Sequence, residues 1–522
     1  MNRREFLRLA GLGGLGAMLP SAGFGDIREL ISRTAPMLER PNILILMTDE
    51  QRAVRDWPAG WADANLPSLG RLRAHGINFN SAFANACQCS PSRSTFLTST
   101  YAPVNRATLT PATLNPALPN LATIFAAAGY NVVYKGKWHL TASFVLPFAA
   151  DSSQDVSDII ASDQAMQATY GFSGWNSPDA GTSLTQAASL GGGLGGNDAR
   201  YVSGTSAGTA TNVLQFLSTY DSDAPFCLIV SLVNPHDVFV YPKDVVASGY
   251  DVSAFSSLPI ELPPTYGEDL STKPAVQASF VESLNNVWPF AMGAEPVLYS
   301  RFYAYLNILA DAELMQILDL LDAKGLTEKT LIVRVADHGE LGLAHGGLRQ
   351  KDYAAYEEMI HIPMIFSNPL LFPRPLETDA LGGLIDVLPT LMAVAGIKPE
   401  PELHLQGQSL APLFDNPRGS IQERILFTYD DGLFLPLPVQ GAAHIRCIRE
   451  ANWKFAMYFD PAGAYPTEYE MYDLIRDPLE TANLAHRPTP IQYQFERLRL
   501  ESALLEMMAA TRTLPSQIEP PT

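Results

Sequence analysis

The residues Cys89-Ser90-Pro91-Ser92-Arg93 place a nucleophile beside a fixed cation. Ser90 is a favourable N-cap residue and Pro91 suits the first turn of a helix, so a helix is predicted to begin here. Cys89 would then lie just before a helix N-terminus, where unpaired N–H groups and the helix dipole favour an anion. Arg93 would lie one turn into the helix, within reach of Cys89. The stretch indicates nucleophilic chemistry at an anion site; the alternative is a helix cap beside a buried, inert thiol.

Two mostly apolar runs end in residues that could bind a metal. Asn42–Met47 and Thr330–Ala336 are predicted to be strands buried on both faces of a parallel sheet. Open α/β sheets bind their ligands at the carboxyl ends of such strands. The residues after the two runs offer carboxylate oxygens and one imidazole, a donor set that allows Ca²⁺, Mg²⁺ or Mn²⁺: Asp49, Glu50, Asp337 and His338.

Two further predicted strands end in basic residues. Tyr130–Tyr134 runs into a cluster of cations that suits sulfate oxygens, namely Lys135, Lys137 and His139. Phe226–Leu232 is followed by His236 at the same predicted edge. The alternative for the lysine cluster is a solvated basic turn.

Taken in order, these motifs resemble the signatures of the type I sulfatases. That family has Cys-x-Pro-x-Arg followed by a Leu-Thr pair, here Leu97-Thr98, and a second signature that Gly129–His139 matches closely. The family also has a Pro-His pair, here at His236, and a lysine shortly before Tyr-Glu-Glu, here Lys351. The chain departs from the family pattern in three ways. Glu50 stands where many sulfatases have a second aspartate, the spacing after Lys351 is one residue longer, and His361 replaces an arginine.

The resemblance implies a fold and an activity. The fold is α/β, with a large mixed, mostly parallel sheet flanked by helices as in alkaline phosphatase, and a small C-terminal α+β subdomain. The activity is hydrolysis of a sulfate ester to an alcohol and inorganic sulfate. The nucleophile would be the hydrate of formylglycine (3-oxoalanine) made from Cys89, beside one divalent metal ion. Ca²⁺ is the family's commonest ion; His338 resembles the choline-sulfatase and phosphonate monoester hydrolase branches, which favours Mn²⁺, and Mg²⁺ stays open.

By the same resemblance, two sets of site residues are expected. The metal ligands would be Asp49, Glu50, Cys89, Asp337 and His338. The catalytic residues would be Cys89, Arg93, Lys137, His139, His236 and Lys351. Two alternatives remain: a phosphonate monoester or phosphodiester hydrolase of the same superfamily, and an inactive anion-binding homologue whose Cys89 is never oxidised.

Composition limits the function classes. The 522-residue chain is 47% hydrophobic and carries a formal charge of −19, which argues against nucleic acid as a partner. An anionic substrate would have to be attracted by local cations and metal, and a small-molecule or glycan sulfate ester is expected. Four cysteines in so long a chain do not form a disulfide framework.

The N-terminus has the pattern of an export signal. Arg3-Arg4 precede a short apolar, Gly-rich run, so residues 1–22 are predicted to be a twin-arginine-type signal. A periplasmic or secreted enzyme without a stable membrane anchor would follow, with the formylglycine-generating enzyme and the twin-arginine translocase as transient partners. The alternative is an ordinary amphipathic first helix.

The rest of the chain divides by composition and pattern. We predict an N-terminal tail over 23–40, a catalytic domain over 41–420, a C-terminal subdomain over 421–512 and a tail over 513–522. Residues 141–208 are predicted to be long loops over the site, and residues 241–289 to be irregular. Long helices are predicted over 299–324 and 491–511.

Overall fold

The structure is a computed structural model that describes residues 38–141, 163–180, 189–204, 211–287, 295–430, 438–486 and 488–515. The described strands, in chain order, are β1 Asn42–Asp49, β2 Gly76–Phe79, β3 Ala82–Phe83, β4 Asn131–Gly136, β5 Phe226–Pro235, β6 Thr330–Ala336, β7 Met364–Ser367, β8 Leu376–Thr378, β9 Gly382–Gly383, β10 Arg424–Tyr429, β11 His444–Glu450, β12 Trp453–Phe459 and β13 Glu468–Asp473. The described α-helices are α1 Trp61–Asn65, α2 Pro67–Ala74, α3 Cys89–Thr98, α4 Ala102–Asn105, α5 Leu121–Ala127, α6 Asp163–Tyr170, α7 Asn197–Val202, α8 Val213–Thr219, α9 Ala275–Val287, α10 Val297–Ala323, α11 Ala344–Gly347, α12 Glu357–Ile360, α13 Val387–Val394, α14 Pro412–Asp415 and α15 Gln494–Thr511.

The largest sheet contains seven described strands in the order β4-β5-β1-β6-β7-β2-β8. β4, β5, β1 and β6 pair in parallel, and β7 is antiparallel to both of its neighbours. The prediction of a mixed, mostly parallel sheet is confirmed. Because the four parallel strands run the same way, their carboxyl ends lie along one edge, where a ligand site is expected.

The central strand β1 is apolar from Ile43 to Met47 because both of its faces are covered. Ile43 and Ile45 pack on one side, in the core that includes Phe125 of α5. Leu44 and Leu46 pack on the other side, in the core that includes Leu318 of α10. Successive side chains of a strand point to opposite faces, so a strand between two helical layers has no polar face.

A second sheet follows the first in the chain. β10, β11, β12 and β13 form an antiparallel meander, and α15 packs against it. The strands predicted around Ile425, Ile445 and Phe455 are confirmed. The domain boundary at residue 421 stays a prediction, and the segments predicted as signal and tail, up to residue 37, lie outside the described residues.

Three sequence predictions need correction. The stretch 141–208 contains the short helices α6 and α7 among its described residues, and the stretch 241–289 contains the thirteen-residue helix α9. Helix α3 begins at Cys89, with Gln88 as its N-cap residue, rather than after Ser90. The Ser90 hydroxyl does not cap the helix, because it donates a hydrogen bond of 2.6 Å to the carbonyl of His139. Among the described helices, none combines the length and apolarity needed to span a bilayer.

Candidate active site

Four side chains from three separate elements meet at the carboxyl edge of the large sheet. Asp49 is the last residue of β1, Asp337 and His338 follow β6, and Cys89 is the first residue of α3. One ligand atom of each lies within 4.8 Å of all the others, and all four side chains are buried. The Cys89 sulfur is 3.3 Å from His338 Nε2 and 3.6 Å from Asp49 Oδ1. The strand ends and the helix start therefore converge on one point.

Arg93 holds the two aspartates of this cluster. Its Nε donates to Asp337 Oδ2 at 2.9 Å, and a terminal nitrogen donates to Asp49 Oδ2 at 3.0 Å. The other terminal nitrogen donates to the Lys137 carbonyl and to Ser231 Oγ. The guanidinium is buried with every nitrogen in use, so its planar fork fixes the relative position of β1, β4, β5 and β6.

Lys137 and His139 reach the site because the chain turns sharply after β4. Gly136 has φ 108°, and a Cβ at this position would lie 2.0 Å from the carbonyl oxygen of Ser231, so only glycine fits. Lys137 forms an ion pair with Asp49 Oδ2, and its Nζ lies 3.8 Å from the Cys89 sulfur. The backbone N–H of His139, which has φ 54°, donates to Asp179 Oδ2 at 2.8 Å.

Lys351, Glu50 and His236 form a second group next to the first. Lys351 Nζ lies 2.5 Å from Glu50 Oε2, and His236 Nε2 lies 4.0 Å from the same oxygen. Asp49, Glu50 and His236 also each offer one ligand atom within 4.8 Å of the other two, close enough to share an ion. Glu50 is not part of the four-residue cluster that includes Cys89, so its predicted role as a metal ligand stays a prediction.

Two buried polar atoms around these two groups have no hydrogen-bond partner among the described residues: His139 Nδ1 and His236 Nδ1. Buried polar atoms are nearly always paired in folded proteins. Unpaired atoms that surround a cluster of ion pairs are the pattern of a site that binds a polar ligand.

Comparison with known proteins places the chain in a family. The sequence model of the sulfatases matches residues 41–397, and that of the C-terminal part of N-sulphoglucosamine sulphohydrolase matches residues 346–508. The chain belongs to the sulfatase family.

Relatives of this sulfatase span almost its full length. It is 26% identical over 486 residues to the uncharacterized sulfatase YidJ of Escherichia coli, covering 91% of this chain and 88% of the relative. It is 23% identical to an ulvan-active sulfatase of Formosa agariphila, covering 88% of this chain and 79% of the relative. It is 26% identical to the choline-sulfatase of Rhizobium meliloti, covering 86% and 83%. The sulfatase is therefore a sulfuric ester hydrolase.

Solved structures agree on the fold. The protein BT4656, solved in complex with its substrate D-glucosamine-2-N,6-O-disulfate, superposes with a TM-score of 0.67 at 19% identity over 92% of this chain and 100% of that one. The phosphonate monoester hydrolase of Agrobacterium radiobacter superposes with a TM-score of 0.64 at 21% identity, over 90% and 96%. The predicted alkaline-phosphatase-like fold is confirmed.

The buried charges of the sulfatase site set its protonation states. Burial opposes charge on Asp49, yet the permanent charges of Lys137 and Arg93 hold the pKa of that carboxyl well below its usual range. Burial, with Lys137, lowers the pKa values of His139 and His236 well below that of a free histidine. Both imidazoles are thus neutral at pH 7 and can accept or share a proton.

The cations of the site stay charged in spite of burial. Burial disfavours the ammonium of Lys137, but Asp49 raises its pKa above the usual lysine value. Burial likewise opposes charge on Lys351, and the carboxylate of Glu50 raises the pKa of that lysine well above its usual range. Burial, and after it Asp49, raises the pKa of the Cys89 thiol to about 11.

Two supporting residues were missed by the sequence analysis. Asp179 accepts the backbone N–H groups of Trp138 and His139, each at 2.8 Å, and so fixes the turn that carries His139. Ser231 receives a hydrogen bond from Arg93 at 2.8 Å. Asp179 lies in a Gly- and Ser-rich stretch and Ser231 lies inside an apolar strand, so neither position had a signal in the sequence.

Proposed function

We propose that this sulfuric ester hydrolase works through a formylglycine derived from Cys89 and one divalent cation held by Asp49, Asp337 and His338. The observation that carries the proposal is the convergence of Asp49, Cys89, Asp337 and His338 within 4.8 Å in a fully buried cluster. Conversion of the Cys89 thiol to formylglycine would place an oxygen nucleophile at the same position, next to the cations of Arg93 and Lys137.

The residues present fit a divalent cation. Two carboxylates and one imidazole form a donor set that hard and borderline cations accept. His338 Nδ1 donates to the carbonyl of Gly339 at 3.0 Å, so its Nε2 lone pair faces the cluster. A second interaction that fixes the tautomer in this way is usual for histidine ligands. Ca²⁺ is the family's commonest ion, the imidazole of His338 favours Mn²⁺, and Mg²⁺ stays open.

The divalent cation and the formylglycine would supply different parts of the chemistry. When bound, the cation supplies positive charge next to the sulfate oxygens and the nucleophile. A hydrated formylglycine supplies a hydroxyl nucleophile where the Cys89 sulfur now lies. The chain's own residues do the rest.

Arg93 and Lys137 stabilise charge on the oxygens of the sulfate group. Both are buried cations, Lys137 lies 3.8 Å from the Cys89 sulfur, and both retain their charge because Asp49 faces them. Fixed cations in a buried site need no reorganisation during the reaction, so their effect on the barrier is large.

Lys351 and His236 act on the leaving group. The ammonium of Lys351 offsets negative charge that develops on the departing oxygen, and the neutral His236 donates a hydrogen bond to it. His139, neutral and with Nδ1 unpaired, accepts the proton whose removal returns the site to its starting state.

The substrate class follows from relatives and from chemistry. We propose a small-molecule or glycan sulfate ester, because the relatives include enzymes named for ulvan and for choline, and BT4656 was solved with a disulfated glucosamine. We also propose export to the periplasm or medium by the twin-arginine-type signal of residues 1–22, with the translocase and a formylglycine-generating enzyme as transient partners. Replacing Arg3-Arg4 by lysines should leave the enzyme in the cytoplasm.

The modification is tested by mass and by substitution. The tryptic peptide that contains Cys89, from active enzyme, should be about 18 Da lighter than the thiol form. Cys89→Ala should lower kcat by several orders of magnitude with a smaller effect on binding. Cys227→Ala, which removes a core thiol, is the matched control and should keep normal turnover. An unmodified peptide from fully active enzyme would refute the proposal.

A second candidate is hydrolysis of phosphonate monoesters or phosphodiesters. The Asp337-His338 pair resembles that branch, and a phosphonate monoester hydrolase shares the fold. Rates with the sulfate and the phosphonate ester of one phenol separate the two, and we expect the sulfate ester to react faster. An inactive anion-binding homologue would turn over neither ester.

A further inference from the structure

The imidazole of His236 is oriented without a hydrogen bond of its own to any described residue. Its Nδ1 is buried and unpaired there, and its Nε2 lies 4.0 Å from Glu50 Oε2, beyond hydrogen-bond distance. The ring packs on Phe239, with centroids 5.1 Å apart. By contrast, the Nδ1 of His338 is fixed by the carbonyl of Gly339. A histidine whose nitrogens stay available to a substrate has to be positioned through its backbone instead.

Asp198 fixes the backbone on the N-terminal side of His236. It lies in α7, and its two carboxylate oxygens accept the N–H groups of Val233 and Asn234, at 2.6 and 3.0 Å. These two residues belong to the end of β5, the strand that leads directly into His236. A carboxylate that accepts two consecutive N–H groups fixes both the position and the direction of the chain.

Asp237 fixes the backbone on the other side of His236. One of its oxygens accepts the N–H of Gly191 at 3.1 Å. The other accepts the N–H of Gly192 at 3.0 Å and the hydroxyl of Tyr250. The residue that follows His236 is thereby tied to the glycine-rich segment that precedes α7.

Gly191 and Gly192, which we name the strap, have no room for a side chain. A Cβ on Gly191 would lie 2.6 Å from Asp198 Oδ2, and a Cβ on Gly192 would lie 2.6 Å from the hydroxyl oxygen of Tyr250. The strap also joins the two aspartates, because Gly191 donates its N–H to Asp237 and its carbonyl accepts the N–H of Asp198 at 2.9 Å. The glycines are therefore part of the support for His236.

The two aspartates are buried without a countercharge. Asp198 and Asp237 are 3% and 0% exposed, and neither forms an ion pair with a described residue. Burying a carboxylate that no cation pairs is costly, and here backbone N–H groups supply most of the compensation. A carboxylate can accept two N–H groups through two oxygens, whereas an amide has only one acceptor oxygen. This difference gives both positions a reason to be aspartate.

His139 is supported in the same way. Its Nδ1 is the other unpaired imidazole atom of the site, and Asp179 accepts the backbone N–H groups of Trp138 and His139, each at 2.8 Å. In both places a buried aspartate holds two consecutive N–H groups of the chain that carries the histidine. The repetition indicates a device for orienting an imidazole while leaving its nitrogens available.

We propose that Asp198 and Asp237 are positioning residues of the hydrolysis, which hold the chain on both sides of His236 and so direct its imidazole towards the leaving group. Such support matters because a displacement of about 1 Å at a reacting group can cost about 100-fold in rate. The inference deepens the proposed function and rests on its assignment of His236 to the leaving group. It requires that the aspartates affect the rate through His236.

Asp237→Asn is the test, because it keeps the size of the side chain and turns one acceptor into a donor that faces the strap. For sulfate esters of weakly acidic phenols, we expect kcat/KM to fall about 10- to 100-fold. For para-nitrophenyl sulfate, whose phenolate leaves with little help, the loss should be less than about threefold. His236→Ala should show the same dependence on the leaving group, and adding Asp237→Asn to it should cost little more.

Asp251→Asn is the matched control. Asp251 follows Tyr250 in the chain but only caps a 3₁₀ turn by accepting the N–H of Ser253 at 2.8 Å, which asparagine does equally well. Its rates should stay normal with every ester. Tyr250→Phe removes one of the three donors to Asp237 and should show the same trend with a smaller loss. It serves as the test variant if Asp237→Asn does not fold, which the melting temperature reports.

A structural role alone would give different results. A loss that is equal for all leaving groups, or that adds in full to the loss of His236→Ala, would overturn the proposal. Normal rates in both Asp237→Asn and Tyr250→Phe would do the same. If His236→Ala itself spared esters of weakly acidic phenols, the inference would fail together with the role of His236, whereas the nucleophile is tested separately by the mass of the Cys89 peptide.

Discussion

Lys137 provides the sharpest test of how the site works, because its contacts allow the effect of losing its charge to be estimated. The ammonium is fully buried, is ion-paired with Asp49, and lies 3.8 Å from the Cys89 sulfur. A unit charge at about 4 Å interacts with another by about 4 kcal/mol at an effective dielectric constant of about 20. Only the part that grows towards the transition state lowers the barrier, so the Coulomb figure is an upper limit.

We expect Lys137→Met to lower kcat/KM by about 10²- to 10³-fold, the loss seen when one fixed donor is removed from a charge-stabilising site. Methionine keeps the length of the side chain and removes the charge. Asp49 keeps its hydrogen bond from Arg93 at 3.0 Å and loses its ion pair with Lys137. Its carboxylate is then more available to the divalent metal, so the metal content should not fall. The assay is steady-state turnover of an aryl sulfate at saturating metal, with metal analysis of the same samples.

Lys135→Met is the matched control, since Lys135 is a buried lysine two residues before Lys137, inside β4. Its ammonium donates to the carbonyls of Gly174 and Thr211 instead of facing the site. This variant is expected to lose some stability and little of its turnover. If Lys137→Met kept kcat/KM within about fivefold of wild type, or if both variants lost activity equally, the electrostatic reasoning would be wrong.

Four further outcomes are expected. Glu50→Gln should keep one metal ion per chain. It should slow the hydrolysis of esters with poor leaving groups most, because Lys351 loses its carboxylate partner. Loss of the metal from this variant would show instead that Glu50 is a ligand. The acid limb of kcat should lie below pH 6.5, since burial, then Lys137 and Arg93, lower the pKa of His139; a limb above that pH would contradict its role. His345 faces Glu268 and Glu358, which raise its pKa to about 9 against the effect of burial. Its contribution to folding, roughly 3 kcal/mol, is then present below about pH 6.5 and lost as pH rises through 9; His345→Asn should flatten this part of the stability profile in urea titrations. Removal of the metal by a chelator should abolish sulfate binding, measured by calorimetry, as well as turnover.

Strand ends were predictable from the sequence because buried parallel strands are continuous apolar runs. Asp49 and Asp337 follow such runs directly, so their meeting at one edge could be predicted without knowledge of the loops. Helix α9 was missed because it lies in a Pro-rich stretch that lacks a clear period. The predicted start of α3 was two residues too late, because the Ser90 hydroxyl, a good cap by its local chemistry, bonds to His139 across the fold instead.

The supporting contacts of the site depend on distances in space that no local pattern encodes. Asp179 is separated from His139 by forty residues of Gly- and Ser-rich chain, and Ser231 is a single polar residue in an apolar strand. His345 stacks on Tyr356 with ring centroids 3.6 Å apart. Its two ring nitrogens lie 2.7 Å from Glu268 and 3.3 Å from Glu358, so both are already paired.

The charges of the site explain how a chain with a net charge of −19 can bind an anion. Three buried cations, Arg93, Lys137 and Lys351, are each ion-paired with at least one of three buried carboxylates, Asp49, Asp337 and Glu50. A site whose cations are already paired, inside an acidic protein, attracts a sulfate ester only weakly. A divalent cation shared by Asp49 and Asp337 would change the sign of the site, because it satisfies those carboxylates and leaves Arg93 and Lys137 in excess. The metal is therefore expected to be required for substrate binding as well as for the chemical step, since without it the two cations are already neutralised by their own aspartates.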